Sequence, residues 1–105
     1  MKQMSIQEKI DNIVKNNRIV LMMKGTKQFP QCGFSGRAVE ILRLCNCDDY
    51  FVVNILQDQE IRQGAKEYAD WPTFPQLYVN GEFIGGADIM LEMYQAGELQ
   101  ALLQA

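Results

Sequence analysis

Two short apolar runs with a helical segment between them constrain the fold of this chain more than any other feature. The runs occupy residues 18–24 and 50–55 and have the length of strands. Between them, apolar residues recur at helical spacing and predict one helix face made of Phe34, Ala38, Ile41, Leu42 and Cys45. A strand, a helix and a second strand in this order favour parallel pairing of two buried strands.

Helices are also predicted on either side of this unit. Ser5 and Glu8 have the spacing of a capping box, which predicts a helix over residues 5–16. After the second strand, apolar residues at helical spacing within 61–69 predict a third helix, although Gly64 lies in its middle.

The C-terminal part of the chain begins with a hairpin signal. Asn80 and Gly81 separate two apolar runs, and this dipeptide favours a tight turn between antiparallel strands. A glycine pair follows, after which Asp88 is predicted to cap a final helical region. The complete order α-β-α-β-α-β-β-α-α predicts an α/β fold, with a four-stranded mixed sheet flanked by about five helices.

Length, composition and charge limit the class of protein. The chain has 105 residues, of which 48% are hydrophobic and 22% charged, and we expect a single globular domain over 1–105. A net charge of -3 without a basic face argues against nucleic-acid binding. No stretch is apolar enough to span a bilayer, and the first residues resemble neither a signal nor a transit peptide. We therefore expect a cytoplasmic protein that binds neither nucleic acid nor membrane.

Cys32 is the strongest candidate for chemistry. It follows a proline-bearing loop and precedes the second helix, where free backbone N–H groups and the helix dipole favour thiolate over thiol. A thiolate attacks disulfides and binds metals, and Lys24 could add a positive charge. Ser35 occupies the position where a dithiol site has its second cysteine, so disulfide exchange at Cys32 must involve another molecule. An inert structural cysteine is the alternative interpretation.

The other two cysteines are predicted to be structural. Cys45 lies on the apolar face of the second helix, and Cys47 lies in the loop that follows. The chain contains no histidine, which excludes a Cys–His catalytic pair and a Cys/His zinc site.

Two further stretches could bind a ligand with peptide character. In WPTFPQLYV, Pro75 opens a strand and leaves the backbone of Phe74 free to pair with an extended peptide. The spacing alone does not decide whether the bond before Pro75 is cis. In NGEFIGGADIM, Gly86 permits close approach, and N–H groups at Ala87 and Asp88 could hold a carboxylate, or Asp88 could accept from an ammonium group.

Two cations lie one turn apart on the third predicted helix, off its apolar face. Arg62 and Lys66 could contact a negatively charged ligand, but most surface cations of this kind are simply solvated. The sequence alone leaves both interpretations open.

Together these stretches resemble a known family. The segments KGTKQFPQCGFS and WPTFPQLYVNGEFIGGADI, at their separation in this chain, are similar to the monothiol, CGFS-type glutaredoxins of the thioredoxin superfamily. The resemblance covers nearly the whole chain, from the N-terminal helix to EMYQAGEL, and the short length is similar to the bacterial single-domain members. It implies a thioredoxin-like fold with a cis peptide bond before Pro75.

The resemblance also implies that the chain binds glutathione. This tripeptide has two carboxylates, one ammonium group and one thiol, which suit the charged and backbone groups of the two stretches. Beside Cys32 as the catalytic residue, the implied glutathione site comprises Lys24, Phe34, Arg62, Thr73, Phe74, Gly86, Ala87 through its backbone, and Asp88.

Family members of this type bind a [2Fe–2S] cluster, which implies a cluster carrier or transfer protein in iron–sulfur cluster biogenesis. Such a cluster needs four ligands, usually thiolates. The implied set is Cys32 from each of two protomers and the thiols of two glutathiones. The cluster-loaded form is then a homodimer, with a BolA-like protein and apo iron–sulfur acceptor proteins as its partners.

A second function uses the same residues. In this alternative the chain is a glutathione-dependent thiol–disulfide oxidoreductase that removes glutathione from protein thiols, with Cys32 as nucleophile, and we expect at most weak activity. A stress sensor that is itself glutathionylated is a third hypothesis.

This chain departs from many relatives at Ala87, where they have a cysteine. We therefore do not expect an intramolecular disulfide with Cys32. The four ligands implied for the cluster do not include position 87, so we expect cluster binding to be unaffected.

Overall fold

The computed structural model describes residues 4–104 and confirms the predicted order of elements. Within these residues the chain forms five α-helices, four strands and one short 3-10 helix. Their bounds are α1 Ile6–Asn16, β1 Ile19–Met23, α2 Gly33–Leu44, β2 Phe51–Asn54, the 3-10 helix Ile55–Gln57, α3 Gln59–Ala69, β3 Gln76–Val79, β4 Glu82–Gly85, α4 Ala87–Gln95 and α5 Glu98–Gln104.

The strands form one mixed sheet in the order β2-β1-β3-β4, which confirms the predicted fold class. β1 pairs in parallel with β2, whereas β3 is antiparallel to both β1 and β4. Because β1 and β3 run in opposite directions, with Met22 opposite Gln76, the end of β1 and the start of β3 meet at one end of the sheet. This register brings Lys24 close to the loop that ends at Pro75.

Helices cover both faces of the sheet. On one face α1 and α3 pack through a core that includes Ile10 and Ala65. On the other face α2, α4 and α5 pack through a core that includes Leu42, Met90 and Leu99. β1 is buried along its whole length, and its side chains alternate between these two cores. No helix within residues 4–104 is long and apolar enough to cross a membrane.

Two local signals in the sequence are confirmed at atomic detail. The Ser5 hydroxyl accepts a hydrogen bond from the Glu8 N–H at 3.1 Å, and the Glu8 carboxylate accepts one from the Ser5 N–H at 3.3 Å. This is the reciprocal pair of a capping box. Between β3 and β4, Asn80 and Gly81 have φ values of 53° and 81°, the left-handed conformation that a two-residue hairpin turn requires.

α3 begins earlier than its apolar pattern indicates, and its glycine has a packing role. The Asp58 carboxylate accepts from the Ile61 N–H at 3.2 Å and caps the helix, so that α3 starts at Gln59. A Cβ atom at Gly64 would lie 3.0 Å from the Ile10 side chain of α1. The absence of a side chain at Gly64 therefore allows the two helices to pack closely.

Three predicted details are wrong. The periodicity placed Phe34 on the apolar face of α2, but 58% of this residue is exposed, and Ser35 is the buried residue in that turn. β2 was expected to be buried, but it is an edge strand with one neighbour, and Phe51 is 45% exposed. Asp88 does not cap α4: Gly86 is the N-cap residue, without a side-chain hydrogen bond, and Asp88 lies in the first turn.

Candidate functional site

Cys32 lies at the N-terminus of α2, as its position in the sequence predicts. Its backbone is extended, and its sulfur accepts a hydrogen bond from the Ser35 N–H at 3.4 Å, which makes Cys32 the N-cap of the helix. The Ser35 Oγ lies 3.6 Å from the sulfur and itself accepts from the Lys24 N–H at 3.0 Å. Because Lys24 supplies the proton of that bond, the hydroxyl hydrogen of the fully buried Ser35 is free to point at the sulfur.

These contacts decide the ionisation of Cys32. Partial burial raises the pKa of its thiol, but hydrogen bonds from the Ser35 N–H, the Ser35 hydroxyl and the Phe34 N–H act in the opposite direction. The positive charge of Lys24 adds to them, and the net result is a pKa of Cys32 below its ordinary value. The thiolate, the nucleophilic and metal-binding form, is therefore favoured at this site.

The other two cysteines lie at the opposite end of α2 and are suited to packing. Cys45 is buried in the core between α2 and the sheet, and burial raises the pKa of its thiol. Burial also raises the pKa of Cys47, which packs against the same core from the loop after α2. The twelve residues of α2 separate Cys32 from Cys45, a span of about 20 Å. The thiols of Cys45 and Cys47 therefore do not reach Cys32.

A pocket of about 530 Å³ adjoins Cys32 at the end of the sheet where β1 ends and β3 begins. The structure brings every predicted site residue to this pocket, although they come from five separate parts of the chain. Its lining includes Lys24, Cys32, Phe34, Arg62, Thr73, Phe74, Gly86, Ala87 and Asp88. Their individual roles toward a ligand stay predictions.

The pocket lining contains three cations. Lys24 follows β1, and Arg62 and Lys66 extend from α3, so three positive side chains line the same cavity. The Nε of Arg62 is buried and has no hydrogen-bond partner among the described residues. The indole Nε1 of Trp71, another lining residue, is also buried and unpartnered within residues 4–104. Unsatisfied buried donors beside a cavity favour a ligand that offers oxygen acceptors.

The loop before β3 supplies a peptide-like edge. The bond between Phe74 and Pro75 is cis, as the family resemblance implied. Within the described residues, neither the N–H nor the carbonyl of Phe74 takes part in a backbone hydrogen bond. These free groups can pair with the backbone of an extended peptide.

Sequence reasoning did not identify the support for this loop. Gln76 is fully buried, and its side-chain amide donates to the carbonyls of Trp71 at 3.2 Å and Thr73 at 3.4 Å. Its side-chain oxygen accepts from the Tyr78 hydroxyl at 2.9 Å. The sequence did contain a signal for this role, namely a glutamine in an apolar strand directly after a proline, because a buried amide must be hydrogen-bonded.

Three other lining residues were also not assigned to the site from the sequence. Whether Lys66 contacts a ligand had been left open, and Trp71 and Ile89 had no assigned role.

The start of α4 completes the pocket. Ala87 and Asp88 lie in the first turn, where backbone N–H groups have no partner within the helix. The Asp88 side chain is 83% exposed, and Arg37 of α2 lies across from it with 3.9 Å between Nη1 and Oδ1. The pocket lining thus includes three cations as well as an exposed carboxylate beside helix N–H groups.

The fold and the site together define a thiol protein in which one cysteine with a lowered pKa lies beside a pocket with a charged lining. Residues 19–84 match the Glutaredoxin family. Related sequences include an uncharacterized monothiol glutaredoxin of Synechocystis, 54% identical over 91% of this chain and 89% of the relative. A probable monothiol glutaredoxin of Rickettsia conorii is 52% identical over 91% of this chain and 89% of its own length.

Solved structures agree with the sequence relatives. The solution structure of reduced apo GrxS14 from poplar is 51% identical, covers 95% of this chain and 91% of that chain, and has a TM-score of 0.80. The crystal structure of oxidized glutaredoxin 2 from Chlamydomonas reinhardtii has a TM-score of 0.83 over 94% of this chain and 91% of that chain, and at 22% identity it supports the fold alone. The chain therefore belongs to the glutaredoxin family and, within it, to the monothiol glutaredoxins.

Proposed function

We propose that this chain carries and transfers [2Fe–2S] clusters, with each cluster bridged between two protomers by Cys32 and two glutathiones. The observation that supports the proposal most directly is a thiol with a lowered pKa that has no second thiol within reach. No group of three or more His, Cys, Asp or Glu side chains among the described residues could hold a metal ion. A cluster on this protein therefore needs ligands from outside the chain.

The number of thiols supports a dimeric arrangement. A [2Fe–2S] cluster takes four ligands, usually thiolates. Each protomer offers Cys32 at the surface of the pocket, and each bound glutathione adds one thiol. Because half of the ligands are exchangeable, an acceptor protein can displace them and take the cluster.

The pocket also suits glutathione by charge. Arg62 and Lys24, which both line the pocket, would hold the glycyl carboxylate. The free backbone groups of Phe74 would pair with the cysteinyl residue and align its thiol with Cys32. The first turn of α4 would hold the γ-glutamyl end through its N–H groups and Asp88.

The setting and partners follow from the family resemblance. We propose a cytoplasmic role in iron–sulfur cluster biogenesis, as a homodimer when loaded. A BolA-like protein would replace one protomer, and apo iron–sulfur proteins would accept the cluster. These assignments depend on the cluster-carrier function and are tested after it.

Anaerobic reconstitution with iron, sulfide and glutathione tests the proposal. We expect a coloured dimer, with about one cluster per two chains, that forms only when glutathione is present. The Cys32→Ser variant should remain a colourless monomer, whereas the control Cys47→Ser should behave like the wild type. A cluster that persists in Cys32→Ser, or that forms without glutathione, would contradict the four-thiol site.

The lowered pKa of Cys32 also supports a second function, the removal of glutathione from protein thiols. The Cys32 thiolate attacks the glutathione sulfur of a mixed disulfide, the S–S bond breaks, and the protein thiolate leaves. A second glutathione thiolate then attacks the new disulfide, releases Cys32 and forms glutathione disulfide. Turnover comparable to that of dithiol glutaredoxins in a glutathione-coupled assay, together with failed reconstitution, would favour this function over cluster transfer.

A further inference from the structure

Arg37 and Asp88 form a charged pair that joins α2 to the start of α4 at one end of the pocket. The Arg37 Nη1 and the Asp88 Oδ1 are 3.9 Å apart, which is an ion pair but too long for a hydrogen bond. The two side chains are 52% and 83% exposed. Both groups therefore retain most of their hydrogen-bonding capacity for a ligand.

The charges of Arg37 and Asp88 are complementary to those of a free α-amino acid group. A free α-amino acid end has an ammonium group and a carboxylate on the same carbon. Asp88 lines the pocket and can accept from the ammonium group, while the Arg37 guanidinium, directly opposite, can donate to the carboxylate. Asp88 lies in the first turn of α4, and the N–H groups of that turn favour the same carboxylate.

We propose that Arg37 is a specificity-determining residue that, with Asp88, recognises the zwitterionic α-amino acid end of the γ-glutamyl group. The inference rests on the proposed glutathione site and adds to it a residue from outside the pocket lining. A peptide without the α-carboxylate loses the contact with Arg37, and a peptide without the α-ammonium group loses the contact with Asp88. Both peptides should therefore bind more weakly than glutathione.

A stabilising role alone explains the pair poorly. Ion pairs between exposed side chains contribute little to folding, and this one lacks a hydrogen bond. Arg43 of the same helix forms an ion pair of a different kind, because its partner Glu40 lies one turn away in α2 and accepts a hydrogen bond from the Arg43 Nε at 2.9 Å. Arg43 lies in the last turn of α2, away from the pocket, so Arg43→Gln is a matched control for Arg37→Gln.

The test is calorimetric titration of the reduced full-length chain with three reduced peptides. They are glutathione, γ-aminobutyryl-cysteinylglycine, which lacks the α-carboxylate, and glutaryl-cysteinylglycine, which lacks the α-ammonium group. Arg37→Gln should weaken glutathione binding about three- to tenfold and leave binding of the carboxylate-free peptide unchanged. Asp88→Asn should weaken glutathione binding by a similar factor and leave binding of the ammonium-free peptide unchanged.

The outcomes separate this inference from the proposed function. If the wild type binds glutathione and Arg37→Gln matches Arg43→Gln, the role of Arg37 is wrong while the glutathione site stands. Tighter binding by Arg37→Gln also overturns the inference, because Arg37 would then compete with the ligand for Asp88. If the wild type binds none of the three peptides, the proposed glutathione site fails, and this inference fails with it.

Discussion

The two ends of α2 place the same type of side chain in opposite chemical environments. At the N-terminus, Cys32 accepts hydrogen bonds from the helix start, borders a pocket and has a lowered pKa. At the C-terminus, Cys45 packs in the core and has a raised pKa. The helix itself contributes to the contrast, because its N-terminus offers N–H donors and its C-terminus offers carbonyl acceptors.

The difference shows that the pKa of a thiol in this protein depends on where the thiol lies along α2. Burial raises the pKa of all three cysteines, and only at Cys32 do donors outweigh that effect. Ser35 is central to this result, since it replaces a potential disulfide partner by a hydrogen-bond donor. The site thereby becomes monothiol and favours the thiolate at the same time.

The largest expected effect is on thiol alkylation. At neutral pH and with the protein folded, iodoacetamide should modify Cys32 at least about tenfold faster than Cys45 or Cys47, because thiolate fraction and access both favour it. Cys32→Ser should remove the fast phase, and Cys45→Ala should retain it. Mass spectrometry of peptides from quenched samples measures each rate. Similar rates at the two ends of α2 would break the comparison.

The next effect is on the free energy of unfolding, and here substitution of Cys45 should have a larger effect than substitution of Cys32. Cys45→Ser places a hydroxyl group in the apolar core and should lower the free energy of unfolding by about 1–3 kcal/mol. Cys32→Ser should change it by less than about 0.5 kcal/mol, because serine is itself a preferred N-cap residue. Urea denaturation of both variants measures the two values. Equal losses would mean that Cys32 also has a structural role.

The smallest effect concerns the Ser35 hydroxyl. Ser35→Ala removes one donor to the thiolate, so the pKa of Cys32 should rise and the pH–rate profile of alkylation should move to higher pH. Below the wild-type pKa the variant should react about fivefold more slowly, which corresponds to the loss of one ordinary hydrogen bond. Above both pKa values the two rates should converge.

The Ser35→Thr variant serves as the control, since it retains the hydroxyl group. Its methyl group enters a buried site, so its stability is measured alongside its rate. An alkylation profile of Ser35→Ala that coincides with the wild type would assign the lowered pKa of Cys32 to backbone donors and Lys24 alone.

Much of the fold could be predicted because its signals are local. The capping box at Ser5, the turn at Asn80-Gly81 and the periodicity of α2 each depend on residues a few positions apart, and all three are confirmed. In α2, only the placement of Phe34 on the apolar helix face was wrong, because periodicity identifies a helix but does not decide which side chain of its first turn is buried. Ser35 takes the buried position there, where it accepts from Lys24.

The candidate site combines local and distant information. Cys32 at a helix start was recognisable from its own neighbours. The family resemblance identified many of the other lining residues, but not Lys66, Trp71 or Ile89. Neither indicated that Gln76 supports the loop of Trp71, or that Arg37 faces Asp88. These contacts join residues from different elements, and only the packing of those elements places them together.

The sequence by itself determined the order of elements, the reactive cysteine without a resolving partner and membership of the monothiol glutaredoxins. The tertiary structure decided which side chains share the pocket and which contacts lower the pKa of Cys32. The physical reason is that helix and turn signals act over a few residues, whereas the pocket depends on sheet register. The pairing of β1 with β3 brings Lys24 and the cis-proline loop to one end of the sheet, beside the start of α2.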